Sequence, residues 1–205
     1  MYVLDPKIRG RVRLMLKGST FEPDLDKLRR LVHYICHRKR EAPRELGRLK
    51  LNKILFYSDL YAFLHTGKPI TGEEYIKQKH GPVSKHLDQI VEELEESGQL
   101  AVSVEPYIGG GEERTHHLFF SLKEPNIDDF TSNEISFVEQ YIEEISVKTA
   151  QKTSLDSHDI VWESRAMRET IPYYSGFLYA LAEIREEDMD WARQELTEWD
   201  RSDED

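Results

Sequence analysis

Apolar residues recur at intervals of three and four over most of this chain and at intervals of two over a few short stretches. Leu25, Leu28, Val32, Ile35 and Cys36 form one stripe and predict a first helix from about Asp24 to Arg40. Leu51, Ile54, Leu55, Ser58, Tyr61 and Ala62 predict a second over roughly Leu49 to His65. Gly67 then sits as its C′ residue, and Pro69 prevents continuation. Val83, Leu87, Ile90, Val91 and Leu94 predict a third helix from about Val83 to Ser97, closed by Gly98. Thr131-Ser132-Asn133-Glu134 has capping-box spacing and opens a fourth, with Ile135, Val138, Tyr141, Ile142 and Ile145 inward. A short helix over Leu155 to Trp162 follows. Helical residues from about Gly176 to Trp199 come last, entered through the loop Ile171-Pro172-Tyr173-Tyr174.

Period two governs Arg11 to Lys17, where Val12, Leu14 and Leu16 share one side and Arg11, Arg13 and Lys17 take the other. An edge strand with a cationic outer face fits this better than an amphipathic membrane helix. The same period returns in Leu100–Tyr107 and Thr115–Leu122, which flank the flexible Gly109-Gly110-Gly111-Glu112 and predict a hairpin. Residues 68–83 carry turn chemistry at Lys68-Pro69-Ile70-Thr71-Gly72 and His80-Gly81-Pro82-Val83 and read as irregular.

The expected fold class is therefore mainly α with a small β-hairpin: an α-helical bundle with a winged-helix-like helix–hairpin unit (α+β). At 205 residues the chain suits one domain with additions, namely a basic arm over 1–22, a domain over 23–170 and a helical extension with an acidic tail over 171–205. A chain of this length buries roughly 70% of its unfolded surface, enough for a core without staples. The single cysteine, Cys36, excludes an internal disulfide framework. No stretch approaches the ~20 apolar residues of a membrane span, and the amino terminus lacks a signal-peptide run, so a cytoplasmic location is expected.

Charge narrows the partners. The net charge is −11, but residues 1–53 hold 15 basic and 6 acidic side chains, whereas the remainder hold 13 and 33. So acidic a chain is a poor general ligand for phosphate backbones and suits a basic partner; solubility alone accounts for the same charge. In the third helix only Lys85 opposes Asp88, Glu92, Glu93, Glu95 and Glu96, and the hairpin tip adds Glu112 and Glu113 against Arg114. Groove readout needs cations and amides, so these charges disfavour nucleic acid although the helix–hairpin order suggests it.

Candidate chemistry is sparse. His33 and His37 lie one turn apart beside Cys36, which raises a zinc site, yet Cys36 falls on the apolar stripe and nothing elsewhere completes the ligand set. A core cysteine between two boundary histidines is the better reading. Ser154, Asp156, Ser157 and His158 resemble triad ingredients, but neighbours on a helix point apart and cannot converge on one atom. Neither HExxH, GxSxG nor a phosphate loop is present, so no catalytic residue, metal or cofactor is expected. His158 and Trp162 are i and i+4 neighbours that read as a packed pair. Asp59 falls inside an apolar helix and needs a partner, from Lys53 or a backbone amide.

Several strings in order resemble the Panacea, or SocA-like, antitoxin domain: Lys53-Ile54-Leu55-Phe56-Tyr57-Ser58-Asp59, His65-Thr66-Gly67-Lys68-Pro69-Ile70-Thr71-Gly72, Tyr75-Ile76-Lys77, Gly81-Pro82-Val83, and Leu155-Asp156-Ser157-His158 with Trp162. The resemblance takes in about residues 24–165. The resemblance implies a mainly helical antitoxin of a bacterial or prophage toxin–antitoxin pair that neutralises its toxin by direct contact. It implies a cognate toxin, such as a basic tRNA-directed or small alarmone synthetase-like enzyme, and no catalytic constellation. Tyr57, Asp59, Gly67, Gly72, Gly81, Pro82, His158 and Trp162 match its motif and read as scaffold. The acidic residues Glu92, Glu93, Glu95, Glu96, Glu112 and Glu113 are the candidate contacts with the toxin, and the basic arm is a rival. A winged-helix transcription regulator and an adaptor delivering a toxin to a protease are the alternative functions.

Overall fold

Asp24 accepts the amide of Lys27 at 2.9 Å and so starts helix α1 (Leu25–Arg38). The computed structural model describes residues 21–109, 112–149, 152 and 166–176. The predicted strand at 11–17, the helix over Leu155–Trp162 and the helical residues beyond Gly176 lie outside them, as do His158 and Trp162.

Helix α2 (Gly47–Thr66) stops where Gly67 takes a left-handed φ of 80° and returns its amide to Phe63. Apolar residues lie all round α2, because it is the central rod of the domain. Helix α4 (Ser132–Ser146) packs along one side. There Tyr57 stacks on Tyr141 with ring centroids 5.6 Å apart, and Tyr61 meets the edge of Phe137 at 5.1 Å. The predicted capping box at Thr131 and Glu134 opens α4. Helix α1 joins α4 through Glu139, which receives the Arg38 guanidinium as a fork at 2.7 and 2.6 Å and the Tyr34 hydroxyl at 2.6 Å. Leu28, Leu31, Val32, Ile35 and Cys36 of α1 are fully buried with Ile54, Leu55, Ile90, Leu94 and Val138.

The stretch 68–83 is not irregular throughout. β1 (Tyr75–Gln78) and β2 (Gly81–Ser84) pair antiparallel in the register Tyr75↔Ser84 to Gln78↔Gly81, with Gly81 at φ 109°. Val83 shares helical spacing with Leu87 but belongs to β2, so helix α3 (Leu87–Glu96) starts four residues later than the periodicity predicts. Two strands of four residues are too short to outvote turn residues in a sequence pattern. The expected hairpin is present as β3 (Leu100–Gly109) and β4 (Glu112–Ser121), paired from Leu100↔Ser121 to Gly109↔Glu112. Among the described residues the architecture is mainly α with two small antiparallel sheets. None of the described helices is long and apolar enough to cross a membrane.

The returning chain closes the domain. Arg168 and Ile171 donate their amides to Lys77 and Tyr75, and Lys77 donates to Glu169, so residues 168–171 run along the outer edge of β1. A short 3-10 turn, Tyr173–Gly176, then seats Gly176 where a Cβ would come within 2.6 Å of Leu60. Phe21, at the other end, packs its ring 5.7 Å from both Phe63 and Tyr173.

Buried polar centre and candidate partner-binding surface

Asp59 is fully buried, and its partners come from the loop and strand that follow α2. The Thr71 amide donates to Oδ1 at 2.7 Å; the Thr71 hydroxyl and the Tyr75 hydroxyl donate to Oδ2 at 2.5 and 2.8 Å. The backbone amide anticipated for this carboxylate is that of Thr71. Burial pushes the Asp59 carboxyl up to about 6, against the downward pull of these hydrogen bonds. Burial and the same carboxylate hold the Tyr75 phenol well above its usual range.

Glu73 is a second buried carboxylate, and nothing in its sequence context marks it. It accepts the amides of Lys85 and His86 at 2.9 and 3.1 Å and lies 3.0 Å from His86 Nδ1. These groups stand at the start of α3, where His86 makes no side-chain cap of its own. Glu73 therefore caps α3 from another segment, and its charge complements the helix dipole. Tyr173 links the two carboxylate sites by donating to the Glu73 carbonyl at 2.6 Å beside Asp59 Oδ2.

The motif glycines occupy backbone turns. Gly67 ends α2, Gly81 begins β2, and Gly72 has φ 70° with Glu22 O 2.9 Å from where a Cβ would stand. Pro82 is buried in β2, and Tyr57 lies half-buried between Phe56 and Tyr141.

The raised Asp59 carboxyl has a pH signature. Its folded value exceeds the unfolded one of 3.8, so protonation favours folding: the contribution is complete below about pH 4 and is lost as pH rises through 6. Urea unfolding of wild type and Asp59→Asn at pH 4 to 7 is expected to show the wild type gaining up to about 3 kcal/mol on the variant at the acid end. A difference independent of pH would refute the raised value.

The candidate acidic contacts fall in two places. On α3, Leu87, Ile90 and Leu94 face the core while Glu92, Glu95 and Glu96 are exposed. Glu93 receives Gln89 at 2.9 Å and faces Arg29 at 3.5 Å; Glu95 accepts the Val102 amide at 2.9 Å. Glu113 is exposed opposite Ile108, six residues along β3 from Val102, or about 20 Å. Glu112 pairs with Gly109 at the tip. The fold thus separates the helix carboxylates from Glu113 near the hairpin tip.

The histidines beside Cys36 have other work. His33 Nε2 donates to the Lys123 carbonyl at 3.0 Å, and both His33 and His37 approach the Ser121 hydroxyl, at 3.2 and 3.1 Å. They tie α1 to the end of β4. His33 is buried, not a boundary residue, and burial lowers its pKa. Cys36 is fully buried with its thiol pushed far up. Among the described residues no three His, Cys, Asp or Glu side chains gather as a metal would need.

Residues 51–163, from the first turns of α2 to beyond α4, match the family model described as antitoxin SocA-like, Panacea domain. No curated protein and no solved structure gives a significant match.

Proposed function

We propose, because this chain belongs to the SocA-like antitoxin family defined by the Panacea domain, that it is the antitoxin of a bacterial or prophage toxin–antitoxin pair and silences its toxin by direct contact in the cytoplasm. The match over residues 51–163 carries this reading. Membership implies a toxin partner and a regulatory rather than enzymatic role. A tRNA-directed or small alarmone synthetase-like toxin needs cations to hold nucleic acid. The carboxylates of α3 and of the hairpin tip offer such a surface a competing partner and speed its capture at low salt.

Co-expression tests the role: the neighbouring open reading frame alone should stop growth, and adding this chain should restore it. Continued arrest in the presence of folded chain would sink the antitoxin reading. Within that assay Glu92→Lys with Glu96→Lys tests the helix, because neither residue holds the fold together. Association with the toxin is expected to slow roughly tenfold at low salt and less at high salt. Unchanged association would remove α3 from the contact. DNA binding is disfavoured by the exposed acids of α3. A protease adaptor would instead make toxin turnover depend on both this chain and the protease.

A further inference from the structure

Alternate residues of β3 share a face, and the even-numbered set is apolar throughout: Leu100, Val102, Val104, Pro106 and Ile108. The face begins as core, with Leu100 and Phe119 buried. It then leaves the domain uncovered, Val104 being 53% and Ile108 82% exposed. On β4 the cross-strand partners of this projecting part are His117, Thr115 and Glu113. A row of apolar side chains that continues off the core into water marks a place where another surface sits.

Strand addition along the outer edge of β3 is hindered at two positions. Val102 points its amide away from β4, since it donates to the Glu95 carboxylate at 2.9 Å. By the two-residue period, position 106 faces the same way, and there proline has no N–H to give. A partner is therefore better met by the side chains of the face than by backbone pairing.

Resting on the antitoxin reading, we propose that the face of Val104, Pro106 and Ile108 is the apolar centre of the toxin-binding surface and takes a protein patch with an apolar middle and a cationic rim. Charge selects this occupant. The tip carries Glu112 and Glu113 against Arg114, and Glu92, Glu95 and Glu96 stand exposed on α3 beside the base of the hairpin. A second copy of the chain would set these acids against themselves, and a phosphate backbone would meet net negative charge.

The test uses the full chain and the purified toxin identified by co-expression. Val104→Thr with Ile108→Thr keeps β-branched side chains at two exposed positions and should leave the melting temperature unchanged. Affinity for the toxin is expected to fall roughly 30-fold or more, mainly through faster dissociation. If that pair fails to fold, Ile108→Ser alone is the substitute, with the same direction of effect. A folded variant that binds as wild type overturns the inference and leaves the antitoxin reading standing. A wild-type dimer that dissociates in the variant while toxin affinity is kept also overturns it, in favour of self-association. A wild-type chain that never protects cells overturns both.

Discussion

A fragment trimmed to residues 51–163, the stretch that matches the family, is expected to be unfolded, whereas residues 21–176 should melt cooperatively. The trimmed piece lacks α1, whose Leu28, Leu31, Val32, Ile35 and Cys36 are all fully buried. At about 1.5–3 kcal/mol for each large apolar side chain, their loss approaches 10 kcal/mol, comparable with the 5–15 kcal/mol that holds a whole domain together. It also lacks residues 168–171 along β1 and the Tyr173 hydroxyl at the polar centre. Far-ultraviolet circular dichroism through a thermal ramp decides the matter. A sharp transition in the short fragment would show that α1 is an accessory and not part of the core.

Replacing Asp59 by alanine is expected to destabilise the domain by about 3–5 kcal/mol. The substitution strands the Thr71 amide, the Thr71 hydroxyl and the Tyr75 hydroxyl in a dry interior, and each buried donor without an acceptor costs about 1–3 kcal/mol. Part of the loss is offset at neutral pH, because the carboxylate is itself held ionised against burial. Tyr75→Phe removes one donor and should cost less. In the Asp59→Ala background the same change should cost almost nothing, since the hydroxyl it deletes has already lost its acceptor. Urea unfolding of the four proteins of this cycle measures both effects. Additive costs would mean that the two side chains act independently, contrary to their 2.8 Å hydrogen bond.

The helices were legible because their apolar stripes, caps and stops are local. Asp24, Gly67 and the Thr131–Glu134 box each act within four residues of their partners. The long hairpin was legible for the same reason: ten-residue strands at period two meet across one glycine-rich turn. β1 and β2 were not, since Gly81 and Pro82 signal a turn while Val83 keeps helical spacing with Leu87; long-range packing against α2 decides the contest. The need of Asp59 for a partner could be read from its apolar neighbours, but the identity of Thr71 and Tyr75 could not. They lie 12 and 16 residues away on a loop whose return path periodicity does not encode. Glu73 was missed altogether, because a loop glutamate carries no mark of burial; only the approach of α3 gives it two amides to cap. The exposed apolar end of β3 was visible as alternation, and its projection beyond the core emerged only from burial.

Phe21 and Tyr173 touch, so the segment that leads into α1 and the segment that follows residues 168–171 past β1 stand side by side. That adjacency makes the fold suitable for circular permutation: a short tether could join the two sites while new termini open at the exposed Lys79-His80 turn. It equally permits insertion of the whole unit into a loop of a host protein, with little stretching of the loop it interrupts.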